Sequence, residues 1–149
     1  MGSKEETDWV LKAEKHSNPC LEVVVRNKDK IMRNVLEFLR RKGLGHKEIW
    51  VYKSRVAGTC RKNSDIDIYV QLEEKHRDLV EKEGNMWGEK KGLDWGREAK
   101  QMGLTFIEET EDGWPIELDI RMACDPDPPY NPKYDGKRYS MRVSELSHS

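Results

Sequence analysis

The stretch Tyr52-Lys53-Ser54-Arg55-Val56-Ala57-Gly58-Thr59-Cys60-Arg61-Lys62-Asn63-Ser64-Asp65-Ile66-Asp67-Ile68-Tyr69-Val70 decides how this chain reads. Its second half alternates with period two, the mark of a half-buried strand. Asp65 and Asp67 therefore project to one face, while Ile66, Ile68 and Val70 bury the other. Carboxylates roughly 7 Å apart along one strand face can share divalent cations. Without a cation they repel one another.

The first half supplies the opposite charge. Ile49-Trp50-Val51-Tyr52 reads as a strand, and Ser54-Arg55 follows it at once. Backbone N–H groups at such a turn can hold phosphate oxygens. Gly58-Thr59 permits a tight turn and adds a hydroxyl, and Arg55, Arg61 and Lys62 bring positive charge. An anion cradle beside a carboxylate pair is what nucleotide chemistry needs: donors for a triphosphate and oxygen ligands for Mg²⁺.

A third carboxylate should complete the set. Trp114-Pro115-Ile116-Glu117-Leu118-Asp119-Ile120-Arg121 alternates again, with Ile116, Leu118 and Ile120 toward the core and Glu117, Asp119 and Arg121 away from it. If this strand neighbours the Asp65 strand, either Asp119 or Glu117 reaches the same metals. Asp125 and Asp127 form a second Asp-x-Asp pair with no such surroundings.

Outward from these segments, Asp29 to Lys42 is an amphipathic helix, with Ile31, Met32, Val35, Leu36, Phe38 and Leu39 inward, stopped by Gly43 and Gly45. Val23-Val24-Val25 is β-branched, so that end is open to either a helical or an extended form. Trp9, Val10 and Ala13 mark one face of a short helix within 4–18, and 75–83 is charged and helical. Gly84, Gly88, Gly92 and Gly96 recur every fourth position. In a polar context they read as a loop, followed by a frayed helix from Leu93 to Met102. Leu104 to Thr110 and Trp114 to Met122 are strands joined by a tight turn at Asp112-Gly113. Pro126, Pro128, Pro129 and Pro132 predict an extended tail with little regular structure. Tyr130, Lys133, Tyr134, Lys137, Arg138, Tyr139 and Arg142 mix aromatics with cations in that tail, a composition able to stack bases but equally that of a loop packed on the core. Trp87 and Trp95 carry the same alternatives, base stacking or packing.

Composition bounds the rest. The chain has 149 residues, 37% of them charged, with a mean hydropathy of −0.93. That predicts one domain over 1–149, a core over about 29–122 and a tail over 123–149. No apolar run is long enough for a membrane span, and the polar start predicts no signal peptide. A net charge of −1 gives no case for bulk nucleic-acid binding. Cys20, Cys60 and Cys124 are far apart and read as free thiols in a reducing cytoplasm. The four histidines show no zinc pattern.

Ser54-Arg55, Gly58-Thr59 and Ser64-Asp65-Ile66-Asp67 resemble the signature of the DNA polymerase β-like nucleotidyltransferase superfamily, above all its small members, the minimal nucleotidyltransferases. That signature is an apolar strand, Gly-Ser, a short loop, then Asp-apolar-Asp-apolar, with a third acid on a later strand. The resemblance implies an α/β (α+β) fold, a small mixed β-sheet flanked by helices. It implies two Mg²⁺ ions, or Mn²⁺, held by Asp65, Asp67 and Asp119. It also implies a nucleoside triphosphate such as ATP gripped by Lys53, Ser54, Arg55, Thr59, Lys62 and Ser64. The implied reaction moves a nucleoside monophosphate to a hydroxyl on an RNA end, a protein side chain or a small molecule. So short a chain lacks the helical domain that often holds the acceptor, so a partner protein can share that task, and small members of the superfamily often work in toxin–antitoxin pairs.

One position departs from the pattern. Where the superfamily has the Gly of Gly-Ser, this chain has Lys53. A lysine there can obstruct the phosphates or supply a cation in their reach. The alternative reading is a catalytically degenerate member that binds a nucleotide or a partner without transfer. A metal-dependent nuclease would fit the acids but leaves Ser54 and Gly58-Thr59 without a role.

Overall fold

A computed structural model of the chain describes residues 19–87, 90–126 and 140–146. The helix expected within 4–18 and most of the aromatic and cationic tail lie outside them.

Two helices open the described chain, α1 (Pro19–Arg26) and α2 (Lys28–Lys42). The β-branched run Val23-Val24-Val25 is helical, because Val23 and Val24 bury against the core and that burial outweighs a small propensity cost. On α2 the buried residues are Ile31, Val35, Phe38 and Leu39, the expected stripe. Gly43 ends the helix at φ 68°, with its N–H bonded to the Arg40 carbonyl, and the Leu44 N–H returns to Leu39. Such a left-handed cap suits glycine.

Strand β1 (His46–Tyr52) runs into the short helix α3 (Ser54–Ala57), and a loop leads to β2 (Ile66–Leu72). A 3₁₀ turn (Glu74–His76) and α4 (Arg77–Glu83) follow. Next come β3 (Asn85–Trp87), β4 (Lys90–Asp94), α5 (Gly96–Gln101), β5 (Phe106–Glu109) and β6 (Pro115–Ala123). Strand β7 (Ser140–Arg142) and a 3₁₀ turn (Val143–Glu145) come last.

The strands form one sheet in the order β3-β4-β6-β2-β1-β7, with β5 also paired to β6. Among the described residues only β2 and β6 pair in parallel, and the other pairings are antiparallel. The mixed α/β architecture is the expected one. On β2, Ile66, Ile68, Val70 and Leu72 have no exposure, and on β6 Ile116, Leu118, Ile120 and Met122 are buried. They share one apolar cluster with Leu21, Val24, Ile31, Val35 and Phe38 of the helices. The other face carries the alternate residues, Asp67 on β2 and Glu117, Asp119 and Arg121 on β6, all half-buried.

Four expectations are corrected. The glycine-rich stretch forms the hairpin β3–β4 rather than a loop, and the helix expected from Leu93 to Met102 is present but begins only at Gly96 (α5), with Leu93 and Asp94 still in strand. Close approach explains Gly84: a Cβ there would collide with the Val80 carbonyl oxygen and come within 3.0 Å of the Gly92 carbonyl oxygen. The tail yields strand β7, which pairs with β1 from Trp50↔Arg142 to Tyr52↔Ser140. Of the two turn strands, β5 is shorter than expected, Phe106–Glu109 against Leu104 to Thr110, while β6 is present with its bounds shifted by one residue. Finally, Cys20 and Cys60 are not free thiols. They form a disulfide between α1 and the loop after α3, and only Cys124 is free and buried. The pair removes one ground for placing the chain in a reducing compartment. No helix among the described residues is long and apolar enough to cross a membrane.

Candidate active site

The site starts at the end of β1. Tyr52 is the last residue of the strand, and Lys53 turns the chain into α3 with φ 65° and ψ −139°. Lys53 is the only non-glycine residue with positive φ among the described residues. A side chain in that region costs about 1–3 kcal/mol, and glycine alone adopts it freely. The Lys53 carbonyl accepts the N–H groups of Val56 (3.1 Å) and Ala57 (2.9 Å), which fixes the turn. The Ser54 carbonyl takes those of Gly58 (2.9 Å) and Thr59 (3.1 Å), with Gly58 left-handed at φ 79°.

The loop that follows is held from inside. Arg55 is buried, 3% exposed, and its guanidinium donates to the carbonyls of Ser64 (2.6 Å), Lys62 (3.4 Å) and Cys20 (3.4 Å) and to Cys60 Sγ (3.4 Å). The structure thus spends Arg55 on the loop's own backbone. Thr59 and Lys62 stay exposed on the loop surface, and the Ser64 hydroxyl accepts the Arg61 N–H at 2.7 Å. A cleft of about 400 Å³ opens behind this loop, bounded by Cys20, Arg55, Cys60, Lys62 and Glu108, and none of Asp65, Asp67 or Asp119 lines it.

Sheet register assembles the acids. Tyr52 of β1 lies opposite Asp67 of β2, and Asp67 lies opposite Asp119 of β6. Register partners share a face, so Tyr52, Asp67 and Asp119 form one row across three strands. Asp65, exposed, stands one residue before β2 on the same side. Among the described residues, no three His, Cys, Asp or Glu side chains already stand as a metal-holding group.

The electrostatics record the crowding. Burial pushes the Asp67 carboxyl up to about 7; the Lys53 ammonium opposes that rise, while Asp119, by charge and by hydrogen bond, and Asp65 add to it. Asp65 is raised by burial and by Asp119 and Glu117. Glu117 goes the other way, because the Thr105 hydroxyl donates to it at 2.7 Å and Lys100 pairs with it at 3.2 Å. Of the two third-acid candidates, Asp119 faces Asp67 and Glu117 is already engaged. The Tyr52 phenol is raised by burial and by the Asp67 charge, and its hydroxyl is buried with no hydrogen-bond partner among the described residues.

A model of the nucleotidyltransferase domain family matches residues 32–135. The chain belongs to that family. The match spans the strand-turn-helix of β1 and α3, the Asp65/Asp67 strand and the Asp119 strand, and it agrees with the polymerase β-like superfamily. No curated protein and no solved structure matches the chain.

Within this nucleotidyltransferase domain, two features escaped the sequence reading. One is Tyr52, whose position opposite Asp67 is a matter of register. The other is a second row on the same face, Trp50, Tyr69, Arg121 and Asp94, paired in that order across β1, β2, β6 and β4. For Arg121 the signal was present, since it falls two residues after Asp119 on an alternating strand. Trp95 is packed rather than open: it meets Phe38 edge-on at 6.0 Å and the Lys42 ammonium lies 4.4 Å from its ring. The Trp87 side chain lies outside the described residues.

Proposed function

We propose that this chain is an Mg²⁺-dependent nucleotidyltransferase that moves a nucleoside monophosphate from a triphosphate such as ATP to a hydroxyl acceptor. Nucleotidyl transfer is the chemistry of its family. The observation that carries the proposal is the direct opposition of Asp67 and Asp119 on parallel strands, one position from the Lys53–Ser54 turn.

The donor set suits the ion. Asp65, Asp67 and Asp119 offer only carboxylate oxygens, the hard ligands that Mg²⁺ prefers. Asp67, a crowded carboxyl raised to about 7, is a group that a divalent cation would relieve. Bound there, the metal would supply charge neutralisation and lower the acceptor hydroxyl's pKa. Ser54, at the turn into α3, would face a triphosphate, and Lys53, Thr59, Lys62 and Ser64 are the further side chains available to it. Arg55 serves the nucleotide by holding this loop in shape. Asp119 takes the proton of the acceptor hydroxyl, whose oxygen attacks the α-phosphorus as the bond to pyrophosphate breaks.

The acceptor class is an RNA end, a protein side chain or a small molecule, with a toxin–antitoxin type partner as one setting. The test is incubation with labelled triphosphates, Mg²⁺ and crude RNA or protein. Label transfer that disappears in Asp67→Ala supports the enzyme. Triphosphate binding without transfer supports the second reading, a binding module, which the lysine at the Gly position favours.

A further inference from the structure

Lys53 sits where the family uses glycine, and its side chain does not leave the site. It springs from a backbone conformation that resists any Cβ, yet it is half-buried and folds back so that Nζ lies 5.1 Å from the centre of the Tyr52 ring. Tyr52 is the register partner of Asp67. The ammonium therefore lies beside Tyr52, the first member of the row Tyr52–Asp67–Asp119, one residue past the strand next to Asp67.

That placement meets a need. Asp67 and Asp119 face each other across neighbouring strands, with Asp65 beside them. Three carboxylates and one ammonium carry a formal charge that a single divalent ion balances, whereas three carboxylates alone leave a surplus. A cation tethered beside a carboxylate also competes with any other cation for it, by Coulomb repulsion.

We propose that the Lys53 ammonium is a built-in counter-cation of the acid row, standing in for one of two divalent ions, so that this chain takes a single divalent cation at Asp65, Asp67 and Asp119. The inference rests on the functional reading above and makes the lysine a replacement rather than a defect.

The experiment titrates Mn²⁺ alone into the full chain by calorimetry, with Lys53→Gln, Lys53→Gly, Asp67→Asn and Asp119→Asn compared. Lys53→Gln keeps the strained backbone and most of the stem but removes the charge. Lys53→Gly removes charge and strain together. The expected result is one Mn²⁺ for the wild type, lost in both Asp variants. Both Lys53 variants should bind about tenfold more tightly, or take a second ion. Equal affinity and stoichiometry in the wild type and Lys53→Gln, with binding still dependent on Asp67 and Asp119, would overturn the counter-cation and leave the metal site standing. If no variant binds Mn²⁺, or binding ignores the Asp substitutions, the metal site fails and the counter-cation with it. Tighter binding by Lys53→Gly alone would mean that the backbone, not the charge, sets the affinity, and would also overturn it.

Discussion

Asp67 and Asp119 stand directly opposite one another on β2 and β6, the one parallel pairing among the described strands. Parallel neighbours need a long crossover, and here it runs from the end of β2 through α4, the β3–β4 hairpin, α5 and β5. The acids are thus far apart in the chain and adjacent in space. Their closeness costs stability wherever no cation offsets it.

That cost predicts a pH dependence. The Asp67 carboxyl is raised to about 7 in the folded chain, from an ordinary value near 3.8. The folded state then holds this proton more tightly than the unfolded state, so the stability the group contributes is full below about pH 4 and is lost as pH rises through about 7. Asp67→Asn removes the charged form. In a metal-free buffer at pH 8 it should raise the melting temperature by roughly 3 °C, about 1 kcal/mol after discounting for partial exposure. At pH 4 the two proteins should melt alike. Thermal unfolding in EDTA across this range checks it, and adding Mg²⁺ at pH 8 should stabilise the wild type but not the variant.

The strands and α2 were legible because their patterns are local. Ile66, Ile68 and Val70 alternate with Asp67, and Ile116, Leu118 and Ile120 with Asp119, so the shared face could be read without knowing the partner strand. What was illegible depended on distant contacts. Cys20 and Cys60 meet only because α1 packs beside α3. Arg55 looks like an outward cation until the loop folds its carbonyls around it. Gly84 and Gly92 mark a close backbone approach between α4 and β4 that no local pattern announces. Lys53 is the reverse case: its departure from the motif was plain, but the inward path of its side chain was not.

Relief of strain at Lys53 should be measurable. Lys53→Gly removes a Cβ from φ 65°, ψ −139°. Against the strain, about 1–3 kcal/mol, stands the entropy glycine adds to the unfolded chain, about 0.4–1 kcal/mol. The variant should be more stable than the wild type by about 1 kcal/mol in urea unfolding. Lys53→Ala keeps the Cβ and should gain nothing. A gain shared by both variants would assign the effect to the lost side-chain stem instead of the backbone.

Arg55 should behave as a structural residue. Its guanidinium bridges three backbone carbonyls from a buried position, and removing it leaves those carbonyls short of donors. Arg55→Met should cost about 2–4 kcal/mol. It should also loosen the loop, so that trypsin cuts after Arg61 or Lys62 under conditions in which the wild type resists. If the variant keeps wild-type stability and loses only triphosphate affinity, Arg55 belongs to the nucleotide and not to the loop.

Glu117 and Asp119 should separate by readout. The Glu117 carboxylate is tied to the Thr105 hydroxyl at 2.7 Å and to Lys100 at 3.2 Å, and these partners hold its carboxyl below the usual range. Asp119 faces Asp67 across the parallel pair. Asp119→Asn should therefore abolish transfer, by a factor of about a hundred or more, with a melting temperature at neutral pH no lower than the wild type, since one charge of a repelling pair is gone. Glu117→Gln should keep transfer within about tenfold, because its effect reaches the site only through packing, and should lower stability by about 0.5–1.5 kcal/mol through the weakened hydrogen bond and ion pair. Steady-state transfer rates and melting curves on the two variants, measured side by side, decide between them. The reverse pattern, with activity lost in Glu117→Gln and kept in Asp119→Asn, would move the third acid one turn of the pleat toward the β5–β6 hairpin.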